Sequence, residues 1–170
     1  MTDATIRSEE ARDRDAVRLV NERAFGGREE ADIVEALHRA NAVVVALVAQ
    51  VGAAVVGHIL FSPVTVEHSN KPPLVGLAPM AVAPGNQKQG IGSVLVREGL
   101  ARCRAAGVEG VVVLGHAEYY PRFGFVPAQQ FGLRCEYDVP ADVFMALELT
   151  QGALRGVSGL VRYHAAFAAV

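Results

Sequence analysis

The stretch Leu77–Ser93, LAPMAVAPGNQKQGIGS, constrains this chain more than any other. An apolar run passes into a polar, glycine-bearing loop, and the loop opens a long apolar-faced segment, Ile91–Ala106. Pro79 stands inside the apolar run. Proline has no N–H for a ladder hydrogen bond, so a central strand should exclude it unless the strand bulges there. After the helix, Gly107 takes a stop position, and Val108–Leu114 is apolar apart from Glu109, as a buried strand would be. Strand, loop, helix and strand in this order make a crossover. It predicts a parallel pair formed by Leu74–Val82 and Val108–Leu114.

The rest of the chain reads around that unit. Ile6–Glu10 suits a short strand. Asp13–Phe25 predicts a helix whose apolar face is Ala16, Leu19, Val20 and Ala24, ended by Gly26 and Gly27. Glu29–Arg39 predicts a second, with Ile33, Val34 and Leu37 apolar and carboxylates in its first turn. Ala42–Val51 and Val55–Val66 flank Gly52 and read as a hairpin. His68–Pro73 reads as a loop, Ala117–Phe123 as a short helix or turn, and Gly132–Leu149 as two further strands. The tail, Gln151–Val170, carries the weakest pattern. No linker interrupts the chain, so residues 1–170 are expected to form a single domain.

Composition narrows the class. Hydrophobic residues make up 51% of 170, enough for a core and too many for a disordered chain. No apolar run reaches the ~18 residues of a spanning helix, and the polar, partly acidic start is unlike a signal or transit peptide. Sixteen basic against eighteen acidic residues leave a net charge of −2, without a nucleic-acid footprint. Two cysteines, Cys103 and Cys135, form no metal or disulfide pattern. The expectation is a cytoplasmic protein with neither membrane nor nucleic-acid partner.

The loop before the long helix points to an anion site. Unbonded amides at a helix N-terminus and the helix dipole favour negative charge. Gly90 and Gly92 remove side chains where a phosphate would approach, and Gln87, Lys88 and Gln89 add donors. The spacing fits neither a Walker loop nor a dinucleotide fingerprint. A ligand-free tight turn fits the two glycines equally well.

About thirty residues on stands Tyr119-Tyr120-Pro-Arg-Phe-Gly124-Phe125. Together with Met80-Ala-Val82-Ala-Pro84 and Gln87-Lys-Gln-Gly90-Ile-Gly92, the sequence resembles the GNAT superfamily of N-acetyltransferases, of the small bacterial type. The resemblance implies an acyl-CoA N-acyltransferase fold: a mixed, mostly antiparallel α/β sheet with a splayed parallel strand pair and flanking helices. It implies acetyl-CoA as co-substrate, without a metal, and a primary amine as acceptor. Met80, Ala81 and Val82 would offer main-chain groups to the pantetheine arm. Gln87, Lys88, Gln89, Gly90, Ile91, Gly92 and Ser93 would hold the pyrophosphate. With a charge of only −2, that anion must be held by local N–H groups and Lys88 rather than by the field of the whole chain.

Tyr120 falls where relatives place the general acid for the departing thiolate. Packing with a satisfied hydroxyl is its other role, and Tyr119 reads as a residue packed under the sheet. The general base is open between His116, which ranks first, Glu118, His58, Glu22 and ordered water. Relatives carry an asparagine about seven residues before the motif tyrosine, and here that position is Val113. The acceptor, a small-molecule amine ahead of a peptide, would lie between the first two helices, the loop Phe25–Glu30 and Pro63–Thr65. A non-catalytic acyl-CoA-binding domain needs the cradle but not the phenol, and it is the alternative. The apolar end Leu160–Val170 fits a sheet-edge cover or a homodimer contact.

Overall fold

The computed structural model describes residues 3–169. The strands are β1 (Thr5–Ser8), β2 (Val45–Val51), β3 (Ala54–Val66), β4 (Ser69–Val82), β5 (Gly110–Leu114), β6 (Val126–Pro127), β7 (Leu133–Cys135), β8 (Phe144–Glu148) and β9 (Gly159–Arg162). The helices are α1 (Arg14–Phe25), α2 (Glu29–Arg39) and α3 (Ile91–Ala105). One mixed sheet runs in the order β1-β2-β3-β4-β5-β8-β6. Its neighbours are antiparallel except β4 and β5, the parallel pair expected from the crossover. No helix among the described residues is long and apolar enough to cross a membrane.

Helices cover both faces at the sheet centre. Strand β3 is therefore buried without alternation from Val56 to Ser62. On one face α3 packs Ile91, Leu95, Val96 and Leu100 against Leu47, Ile59, Phe61, Val111 and Val113. The contact is close: a Cβ at Gly99 would lie 2.7 Å from Phe61 Cζ. Val94 lies off this face and is 43% exposed. On the other face α1 and α2 pack Val17, Ile33, Val34 and Leu37 against Val48 and Leu60.

The buried side of α1 is Val17, Val20 and Asn21, while Leu19 is 45% exposed. The expected face is thus rotated. A buried asparagine hides it from a hydrophobic pattern, because Asn21 is held by hydrogen bonds: its Nδ2 donates to the Val17 carbonyl at 3.0 Å.

His68–Pro73, expected as a loop, belongs largely to β4. The turn is only Glu67–His68, and pairing resumes at Val66↔Ser69. The register shifts between Val66↔Ser69 and Val64↔Leu74.

The C-terminal part is more ordered than its pattern suggests. β7 and β8 fill the predicted two-strand segment. β9 pairs antiparallel with β3 at Thr65↔Arg162 and parallel with β7, a second parallel pair the sequence did not disclose. The tail therefore takes the sheet-edge role. It then turns into a short 3-10 helix, Ala165–Ala169, whose Ala166 joins the α2 core cluster.

Candidate active site

The parallel pair opens into a wedge. β4 and β5 pair from Leu74↔Gly110 to Leu77↔Val113, and their ladder stops there. β4 continues to Val82 on its ladder with β3 alone. On that side Ile59↔Met80 is followed by Phe61↔Leu77, so Ala78 and Pro79 together oppose Leu60. The bulge expected at Pro79 is present, and a bulge re-aims a strand. From Ala78 to Val82, β4 has no ladder partner on the β5 side.

Two clefts adjoin along this free edge. The first, of about 380 Å³, lies in the wedge. Leu77–Met80 form one wall and Leu114, Gly115, His116 and Tyr120 the other, while Phe25, Glu30, Ile33 and Phe167 close its mouth. The second, of about 360 Å³, lies at the start of α3. Val82, Asn86, Gln87, Lys88, Gly90–Ser93, Tyr119 and Arg122 line it.

The second cleft has the chemistry of an anion cradle. Gly90 caps α3 with φ 86°, a left-handed conformation that favours glycine. The first amides of the helix lack intrahelical acceptors, and its first turn holds no carboxylate. Lys88 and Arg122 are the cations in the lining. Gln87 is not a free donor, since its Nε2 donates to the Val82 carbonyl at 2.9 Å and ties the loop to the strand end. Gln89 is exposed and lies outside the lining. Ala81 is buried opposite His58 and lines neither cleft. Met80 lines the wedge.

Both motif tyrosines face this region. Tyr119 packs its ring at right angles to Tyr120, with centroids 5.1 Å apart. Its hydroxyl shares a 2.9 Å hydrogen bond with Ser93 Oγ, so it lines the cradle rather than lying wholly beneath the sheet. Arg122 stacks over Tyr119 at 4.4 Å and donates from Nε to the Tyr119 carbonyl at 2.9 Å. Asn86, Tyr119 and Arg122 were not singled out for the cradle in the sequence. The motif spacing around Tyr120 is the signal that finds the last two.

Tyr120 is 6% exposed, between Phe123, Phe125 and Tyr119. Burial, with a smaller push from Tyr119, raises its phenol to about 12. It is therefore neutral throughout the physiological range. Gly115 makes room for its ring.

The other acid–base candidates separate. His116 is exposed and lines the wedge. Glu118 is exposed and lines neither cleft. Glu22 pairs with Arg18 at 3.0 Å. His58 faces neither the wedge nor an edge: it is fully buried, with Nε2 2.9 Å from Glu9 Oε1 and Nδ1 3.3 Å from Asn21 Nδ2. Because the amide donates to Nδ1, Nε2 carries the proton and donates to Glu9. Glu9 also meets His38 at 3.2 Å and Arg14 at 2.5 Å. Burial pushes this carboxyl up, but the hydrogen bonds from His38 and His58 outweigh it and hold Glu9 well below the usual carboxylate range. Pro63–Thr65 also depart from expectation: they line a separate cavity with Val44 and Val108, beyond the paired ends of β4 and β5. Cys103 is buried in α3, and its thiol is raised to about 12 by burial, so it is inert.

Comparison with known proteins agrees with this geometry. The model of the acetyltransferase (GNAT) family matches residues 9–125. The N-acetyltransferase YjhQ of Escherichia coli K12 is 41% identical over 130 residues, covering 74% of this chain and 72% of the relative. The crystal structure of the N-acetyltransferase YhbS from Escherichia coli in complex with CoA superposes with a TM-score of 0.94 at 36% identity, over 99% of this chain and 93% of that one. A GNAT family acetyltransferase from Brucella melitensis in complex with acetyl-CoA gives a TM-score of 0.82 at 38% identity, over 98% and 99%.

Proposed function

Because this chain belongs to the acetyltransferase (GNAT) family, we propose that its two adjoining clefts serve one reaction, transfer of an acetyl group from acetyl-CoA to a primary amine. The enzyme is an acetyl-CoA-dependent N-acyltransferase. The observation that carries the assignment of roles is the unpaired β4 edge, Ala78–Val82, running from the wedge with Tyr120 to the cradle with Gly90 and Gly92. The pyrophosphate fits the first amides of α3 with Lys88 and Arg122. The pantetheine arm lies along Met80–Val82, where free main-chain groups take the place of the missing ladder. The thioester then meets Tyr120. One domain holds both substrates. The CoA and acetyl-CoA complexes of the two structural relatives support this reading.

The chemistry needs a neutral amine, a polarised carbonyl and a proton for sulfur. The acceptor enters as ammonium and gives one proton to water or to His116. Its lone pair forms the C–N bond, and the negative charge on the carbonyl oxygen is met by a main-chain N–H of the splayed strand, that of Val82. As the carbonyl re-forms, the C–S bond breaks and the Tyr120 phenol gives its proton to sulfur. The new amide nitrogen loses its extra proton, which returns to Tyr120 through water. The net products are acetamide, CoA thiol and one proton.

A phenol at about 12 is a weak acid for a thiolate in water, where a thiol sits near 8.5. The wedge changes that comparison. A thiolate forming beside the buried Tyr120 ring is partly desolvated, which raises the thiol toward the phenol. General acid catalysis of this kind is worth about 10²–10⁴-fold.

A thermal-shift titration with acetyl-CoA, followed by thiol-release assays over a panel of amines, tests the reading. Acetyl-CoA should raise the melting temperature of the wild type by mass action, by about 2.7 kcal/mol of stability at a hundred times Kd. Gly92→Glu, which puts bulk and charge into the cradle, should abolish the shift. Absence of a shift in the wild type contradicts the cofactor assignment. A shift without turnover on any amine contradicts the transfer reaction.

A further inference from the structure

We propose that the acceptor is a small amine with a single positive charge, carried on an aromatic or branched aliphatic body. This deepens the acetyl-transfer reading and rests on it. Three independent features of the mouth of the wedge lead to it.

The first is charge. Helices α1 and α2, which bring Phe25, Glu30 and Ile33 to the wedge, also carry the carboxylates Glu22, Glu29, Asp32 and Glu35. Arg18 ties up three of them, with Nε 3.0 Å from Glu22, Nη2 2.8 Å from Asp32, and Nη1 on Glu35. Glu30 is the carboxylate that lines the wedge, and it makes no ion pair among the described residues. Glu29 is unpaired among them as well but does not line the wedge, so a single free carboxylate faces the acceptor there and complements one ammonium. Inside the wedge a second ammonium would lie against Pro79, Met80 and Leu114, with no counter-charge.

The second is the apolar mouth. Phe25, the last residue of α1, is 45% exposed and adds nothing to the core clusters. It lines the wedge together with Ile33 and Phe167, opposite the apolar β4 wall. An aliphatic or aromatic body between these walls buries surface that water otherwise covers. A bare alkylammonium without such a body gains only the charge contact.

The third is closure. The tail bends back after β9 and lays Ala165–Ala169 on α2, with Ala166 8% exposed in the α2 cluster. His164 Nδ1 accepts the Ala166 N–H at 3.0 Å and pins the turn. Tyr163 packs edge-on to Phe167, with centroids 5.3 Å apart. Phe167 is thereby held at the mouth rather than on a free end. A peptide or protein acceptor would have to bring its backbone up to the lining beside Phe25 and Phe167, whereas a small amine enters whole, and about 380 Å³ lies in the size range of small-molecule sites.

The test compares 2-phenylethylamine, spermidine and a lysine-containing decapeptide as acceptors with saturating acetyl-CoA, in the wild type and in Phe167→Ala and Glu30→Gln. In the wild type kcat/KM for 2-phenylethylamine should exceed that of the other two by more than about tenfold, the scale on which a pocket discriminates apolar bodies. Phe167→Ala should raise KM for 2-phenylethylamine about tenfold and leave kcat and the KM for acetyl-CoA in place, the signature of lost ground-state binding. Glu30→Gln should raise the same KM about twofold to fivefold and remove its dependence on ionic strength. Phe25→Ala, an exposed site, carries the Phe167 test should that variant fold poorly. Preference for spermidine or the peptide, or an unchanged KM in the aromatic variants, overturns the inference and leaves the acetyltransferase reading intact. Turnover with none of the three alongside an acetyl-CoA thermal shift also overturns it. Absence of the thermal shift itself removes the reading beneath it.

Discussion

A Cβ added to Gly115 would overlap the ring of Tyr120, at 2.8 Å from Cδ2. The Gly115 N–H donates to the Val143 carbonyl at 3.0 Å, so the backbone there is fixed and cannot easily yield. The end of β5 is thus a shelf on which the phenol rests, and alanine at 115 forces the ring off it. Gly115→Ala should cost about 1–3 kcal/mol of stability, the range for overpacking. It should also lower kcat by about 10²-fold or more, because a small misplacement of a reacting group is costly. The acetyl-CoA thermal shift should survive, since the cradle does not touch residue 115. Full activity in this variant would separate Tyr120 from the chemistry.

The raised phenol predicts a pH signature. Tyr120 ionises near 12 when folded, against about 10 when unfolded. The native state therefore holds its proton more tightly, and the stability this contributes is complete below pH 10 and lost between pH 10 and 12. Urea unfolding at pH 9, 10 and 11 should show stability falling with pH, and falling less in Tyr120→Phe. Tyr163 titrates in the same direction, raised chiefly by burial, so some loss remains in that variant. The rate should rise with pH as the acceptor amine deprotonates, with no descending limb from Tyr120 up to pH 10.

What the sequence made legible was set by period and punctuation. The crossover from β4 through α3 to β5 was readable because its strands are short apolar runs between glycines and its helix is long. Pro79 announced the bulge, and the spacing of Gly90, Gly92, Tyr120 and Phe125 announced the family. Other features left no such mark. Asn21 is polar yet lies on the buried side of α1, so a hydrophobic pattern rotated that helix onto Leu19. His58 in an apolar strand resembled a cleft residue, because its partner Glu9 lies 49 residues away. Phe167 reaches the wedge only through pairing of β9 with β3, a contact across nearly a hundred residues.

Glu9 anchors a buried polar cluster with His58, His38 and Arg14. Removing the carboxylate leaves the buried His58 donor unpaired, at about 1–3 kcal/mol. Glu9→Ala should lose about that much at pH 7 while keeping the KM for acetyl-CoA. The carboxyl is held below its ordinary value when folded. Its stabilisation is therefore present in full above pH 4.5 and lost progressively as pH falls below that. Chemical denaturation at pH 7, 4.5 and 3 should show the gap between wild type and Glu9→Ala closing toward acid.

Arg122 offers a test of the cradle by pairing a variant with a truncated ligand. Its guanidinium is held by the Tyr119 ring and carbonyl, facing the cleft at the start of α3. Arg122→Ala should weaken CoA by about tenfold, on the scale of a charge-assisted hydrogen bond. It should leave S-acetylpantetheine, which has no phosphate, unaffected. Equal weakening of both ligands would assign Arg122 to packing rather than to phosphate. Isothermal titration of both proteins with both ligands measures the coupling directly.

The central claim is that Tyr120 donates the proton that lets sulfur leave. Single-turnover acetyl transfer by Tyr120→Phe, at saturating acetyl-CoA and amine, tests it most directly. Phenylalanine keeps the ring against Gly115, Phe123 and Phe125 and removes only the hydroxyl. The account predicts a rate lower by about 10²–10⁴-fold, with the acetyl-CoA thermal shift unchanged. A single-turnover rate equal to the wild type, with that thermal shift intact, would contradict it.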